Sequence, residues 1–124
     1  MTLVEEFVGP KHRVCTLAEG GRNLTRGFLD GLQDPEQKKV RALLQDVADY
    51  GLPLRNRQKC KILKGCGNLL QLRASQARLF CFVFGRDVVV THGFLKKRDP
   101  KEPAQIGRAV RMRDAWLAEQ EGRR

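Results

Sequence analysis

The chain has 124 residues and a mass of 14.1 kDa, which fits one domain, residues 1–124, with one hydrophobic core. Hydrophobic residues at 41% and charged residues at 31% exclude a compositionally disordered chain. No apolar run approaches the roughly 18 residues of a membrane helix, and Met1 to Pro10 lacks a basic-then-apolar leader, so the expectation is a cytoplasmic protein with no membrane partner.

The formal charge of +10 is unevenly placed. Residues 1–50 hold 7 basic and 8 acidic side chains, whereas residues 51–124 hold 17 and 6. Positive charge gathered in one part of so small a chain points to a polyanion, and nucleic acid fits better than a membrane surface because no basic amphipathic helix stands out.

Val4 to Val8 and Arg13 to Leu17 read as strand-like pieces around a Gly9-Pro10 turn. After Gly20-Gly21, Asn23 is placed to cap a short helix with apolar positions at Leu24, Phe28, Leu29 and Leu32. A second helix starts with Asp34 as cap and Pro35 as its first residue. Its stripe is Val40, Leu43, Leu44 and Val47, and Gly51 ends it. The two helices make a hairpin.

The period then changes to that of strands. Cys60–Leu63, Leu69–Arg73, Leu79–Phe84 and Val88–Thr91 are short β-rich runs with tight connections, which predicts an antiparallel meander. Gly93 is expected to end the last strand, and Pro100 and Pro103 to mark a turn. A final helix follows from Ala104 to Glu119. The expected fold is α+β in two layers: an N-terminal strand, a helical hairpin on an antiparallel sheet of about four strands, and a C-terminal helix. The opposite face of the sheet would stay open for a ligand.

Cys15, Cys60, Cys66 and Cys81 contain no C-x-x-C pair, so neither a metal nor another cofactor is expected, and Cys81 reads as a small core residue. Alternation pairs Leu70 with Leu72 and Gln71 with Arg73 on opposite faces. The faces of Leu79–Phe84 stay unassigned because both are apolar. His92 falls at a strand end just before Lys96, Lys97 and Arg98. A metal-free RNA cleavage needs a base for the ribose 2′-hydroxyl, an acid for the leaving 5′-oxygen, and cations for the phosphate. His92 suits proton transfer, Arg73 and Arg78 suit bidentate phosphate contact, and Lys96 and Lys97 add positive field. Arg55, Arg57, Lys59, Lys61, Lys64 and Arg98 suit phosphate contacts along a nucleic acid, or equally a charged strand edge. On spacing alone, polyanion binding stands ahead of catalysis.

Four segments, Lys61 to Gly65, Leu70 to Arg73, Arg78 to Phe82 and Val88 to Lys97, together resemble the RelE/ParE toxin superfamily, most closely its phage-derived HigB-like branch. That branch carries an L-x-E-L-R strand, an R-x-x-Y/F strand and an H-G-F-x-K-K segment in this order before a terminal helix. The resemblance spans residues 20–118 and is strongest over 59–113. It implies a toxin of a type II toxin-antitoxin system that cleaves mRNA on the ribosome, neutralised by a helix-turn-helix, HigA-like antitoxin. It also implies matching roles for Arg73, Arg78, His92, Lys96 and Lys97. Gln71 stands where the branch has glutamate, and no tyrosine lies between Pro100 and Val110; Tyr50 is the chain's only one. A ParE-like protein that binds gyrase and cleaves nothing, and a plain basic RNA-binding module, stay open as alternatives.

Overall fold

The computed structural model describes residues 1–98 and 102–123. Its elements are β1 (Thr2–Val8), β2 (Arg13–Ala18), α1 (Leu24–Asp30), α2 (Asp34–Tyr50), β3 (Cys60–Ile62), β4 (Leu70–Ala74), β5 (Ala77–Phe84), β6 (Asp87–Leu95) and α3 (Glu102–Gly122). The expected turn at Pro100 lies outside the described residues.

Asn23 caps α1, its Oδ1 accepting from the Arg26 amide at 3.0 Å. In α2 the cap position is Gln33 rather than Asp34, which is already helical, and Gly51 ends the helix at φ 87°. Val40, Leu43, Leu44 and Val47 are all buried along one stripe. That stripe meets Leu70, Leu72, Leu79, Cys81, Val88 and Val90 on the sheet and forms the larger core. Cys81 is fully buried there, as its small apolar side chain suits.

The sheet differs from the expected four antiparallel strands. It has six, in the order β1-β2-β6-β5-β4-β3. The strands from β3 to β6 do form an antiparallel meander. The N-terminal hairpin β1–β2 extends the sheet because β2 runs parallel to β6, from Arg13 opposite Asp87 to Thr16 opposite Val90. The Arg13 guanidinium grips the Asp87 carboxylate at 2.9 and 2.8 Å at the start of that pairing.

The second face of the sheet is not open. Helix α3 crosses it and buries Ala109 against Leu69, Phe80 and Phe94, and Trp116 against Leu17, Phe82 and Val89. Helices therefore cover both faces, and the strand β5, apolar on both sides, is central because each side has a helix to meet. Strand β6 also runs past Gly93, where an end is expected. A Cβ at Gly93 would stand 2.6 Å from Phe28 Cδ2, so the bare backbone admits the α1 ring while the ladder with β5 continues.

Candidate functional site

The register of β4, β5 and β6 sets two rows of side chains on the α3 face at one end of the sheet. The outer row is Arg73, opposite Arg78, opposite Phe94. The inner row is Gln71, opposite Phe80, opposite His92. Two guanidinium groups directly across a ladder repel each other, and burial adds to the cost; both effects pull the Arg78 pKa down, with burial the larger. Arg78 answers by donating to the carbonyls of Ser75 at 2.7 Å and Ala77 at 3.0 Å.

A polar relay ties the outer row to α3. Arg73 Nε donates to Gln71 Oε1 at 2.8 Å, and Gln71 Nε2 donates to Glu102 Oε1 at 2.6 Å. Gln71 is fully buried, so both halves of its amide are satisfied by charged partners. Glu102, and Gln105, whose Oε1 stands 2.8 Å from His92 Nε2, are site residues that strand alternation alone does not identify. Their signal is weak, a polar first turn on the last helix, and only the tertiary fold brings that turn over the sheet.

His92 is not displayed at a strand end. It is 2% exposed beneath α3. Its Nε2 stands 2.8 Å from Gln105 Oε1, and its Nδ1 stands 3.4 Å from Thr91 Oγ1. Phe80 packs beside it with ring centroids 5.3 Å apart. Burial lowers the His92 pKa, and nearby Arg108 lowers it further against the opposing hydrogen bond to Gln105. On balance the surroundings favour the neutral imidazole.

The cations divide among several surfaces. Arg73 and Arg78 share a groove of about 560 Å³ with Lys59 and Lys39, between α2 and the β4–β5 turn. The Arg73 amide also donates to the Lys59 carbonyl at 2.8 Å. Arg55, Arg57 and Lys61 line the continuation of that groove toward β3. Lys96, Lys97 and Arg98 are exposed in the turn after β6. Lys97 and Arg98 face a separate hollow beside Gln33 and Glu36. Lys64 is exposed in the β3–β4 turn. Among the described residues no group of three or more His, Cys, Asp or Glu side chains is placed to hold a metal ion, and no helix is long and apolar enough to cross a membrane.

The family model described as phage-derived protein Gp49-like (DUF891) matches residues 27–114. The chain belongs to this family. Gp49-like proteins are toxins of the RelE/HigB type, and this assigns the chain to the toxin superfamily. The match begins within α1 and ends within α3, so it takes in both rows of the site and the groove beside them. A solved structure similar to this Gp49-like chain is the RelB-RelE antitoxin-toxin complex from Methanococcus jannaschii, at 16% identity and a TM-score of 0.48, covering 60% of this chain and 86% of that one. Comparison with curated proteins finds no match.

Proposed function

We propose that this Gp49-like toxin acts on RNA as a metal-independent endoribonuclease, with mRNA on the ribosome as its substrate and a helix-turn-helix antitoxin as its neutralising partner. The observation that carries the proposal is the Arg73–Arg78 pair. Two guanidinium groups are held opposite each other at the rim of a cationic groove, and the nearby Glu102 carboxylate offsets less of the cost to Arg78 than Arg73 adds, so a further anion between them is favoured. A phosphodiester supplies that anion, with oxygens spaced for two forked donors.

In the reaction proposed, the ribose 2′-oxygen attacks the adjacent phosphorus and the bond to the 5′-oxygen breaks, leaving a 2′,3′-cyclic phosphate and a free 5′-hydroxyl. One proton leaves the 2′-hydroxyl and one reaches the 5′-oxygen. Arg73 and Arg78 stabilise the added charge on the phosphorane, with Lys96 and Lys97 strengthening the field. His92 is the proton-transfer group, and the first turn of α3 must lift from it for RNA to reach the ring.

The burial of His92 favours a second reading, a gyrase-directed toxin that cleaves nothing. Translation of a defined message with the purified protein separates the two. The first reading expects cut mRNA, with cleavage lost in Arg73→Ala and Arg78→Ala. Intact mRNA with inhibited supercoiling and broken DNA refutes it and supports the second.

A further inference from the structure

Three grooves beside the Arg73–Arg78 pair adjoin one another in a row. The first, about 560 Å³, shares Asp46, Asn56 and Lys59 with a second of about 490 Å³. The second shares Pro53, Leu54 and Arg55 with a third of about 510 Å³, which ends at Ile62 on the edge strand β3. Among the described residues lining this track, seven are cations and Asp46 is the one acid. One wall is a single face of α2, where Lys39, Leu43, Asp46 and Tyr50 recur at helical spacing.

Tyr50 has no part in the cleavage step proposed for the Arg73–Arg78 site. It is 75% exposed, the most exposed large hydrophobic side chain among the described residues, and it closes α2 beside Gly51 in the middle of the track. Its ring stays in solvent among Arg55 and Lys59 although Leu54 lies close by as an apolar surface. An exposed aromatic ring flanked by cations, in a groove with nearly uniform sign, is the pattern by which proteins hold single strands: cations follow the phosphates and the ring stacks a base.

We infer that this track is a binding subsite for the single-stranded RNA flanking the scissile phosphate, and that Tyr50 is its base-stacking platform. The inference rests on the RNA-directed reading of the Arg73–Arg78 site. It commits to RNA rather than an acidic protein segment because the ring offers a stacking face and the cations are spread along a path, not gathered at one point. Asp46 marks the one place where a phosphate is repelled.

Binding of a labelled single-stranded oligoribonucleotide, and of an abasic ribose-phosphate oligomer of equal length, tests it by fluorescence anisotropy. Tyr50→Ala is expected to weaken binding of the base-bearing RNA by about fivefold to a hundredfold, while Tyr50→Phe retains it. Neither variant should change binding of the abasic oligomer. Lys59→Ala should weaken both ligands and reduce the dependence of log affinity on log salt by about 0.7, the change in slope when one fewer phosphate is neutralised. Equal affinities of Tyr50→Ala and the parent for RNA overturn the inference, as does an equal loss on the abasic oligomer. So does a Tyr50→Ala defect confined to an acidic peptide. If Arg73→Ala abolishes RNA cleavage while Tyr50→Ala leaves RNA affinity intact, the subsite alone fails. If the parent neither binds nor cuts RNA, the proposed activity fails with it. Because Tyr50 is largely in solvent, its variants should unfold at the parent temperature, which circular dichroism verifies.

Discussion

Gln71→Leu probes the relay that holds Arg73. In the parent, the buried amide accepts from Arg73 Nε at 2.8 Å and donates to Glu102 Oε1 at 2.6 Å. A hydrogen bond to a charged group contributes about 1.5–3 kcal/mol. Arg73 and Glu102 are only half-buried and regain water, so the lower end applies to each bond, about 3 kcal/mol together. Leucine recovers about 1 kcal/mol through apolar burial beside Phe80. The net loss is about 2 kcal/mol, or a fall of about 8 °C in the melting temperature of a chain this size. Differential scanning calorimetry reads that shift. RNA cleavage at 25 °C, where the variant remains folded, should fall on the order of 10- to 100-fold in kcat/KM because Arg73 loses its fixed direction. A double-mutant cycle with Glu102→Leu should show coupling of about 1 kcal/mol, since both substitutions break the same bond. Strict additivity with an unchanged cleavage rate would refute the relay.

Further outcomes follow from His92, Gly93 and the thiols. The His92 pKa is lowered by burial, so the unfolded chain takes up a proton near the ordinary value of 6.5 before the folded one does. Stability is therefore complete above that pH and declines as pH drops through it, and His92→Gln should flatten this part of a melting-temperature profile. The same variant should lose about 100-fold or more in RNA cleavage if the ring moves a proton, and nothing in gyrase inhibition. Gly93→Ala drives a methyl into Phe28 and should cost about 1–3 kcal/mol by chemical denaturation, with Phe28→Leu in the same chain restoring part of it. Of the four thiols, Cys66 is partly exposed, while burial raises the pKa of Cys15 to about 11 and also raises those of Cys60 and Cys81. A thiol reagent should label Cys66 alone in the native protein and all four after denaturation.

What could be read in the chain was what short-range chemistry determines. The Asn23 cap, the Val40–Val47 stripe and the Gly51 stop locate the helical hairpin, because caps, periodicity and positive φ act within a few residues. The shared face of Gln71 and Arg73, opposite Leu70 and Leu72, likewise survives in the fold. The β2–β6 pairing was not legible, since nothing near Arg13 names Asp87 as its partner. Nor was the cover over His92: α3 has a poorly defined apolar stripe, and only its packing against Phe80 and Phe94 shows which face it turns to the sheet. The buried histidine consequently looked like a displayed one. The groove was half visible, as a row of cations from Arg55 to Lys61, while Tyr50 belonged on sequence grounds to a helix end and acquired its setting only when the α2–β3 connection folded beside it.

The parallel contact between β2 and β6 has a consequence for how the protein is made. The β1–β2 hairpin is made before β6 and has no place in the sheet until residues 87–95 emerge, because β6 is its neighbour on that side. Such distant pairing is slow to close. The β1–β2 hairpin therefore waits with one edge unpaired until β6 has been made, and the joining of Arg13 to Asp87 brings segments 74 residues apart into one sheet.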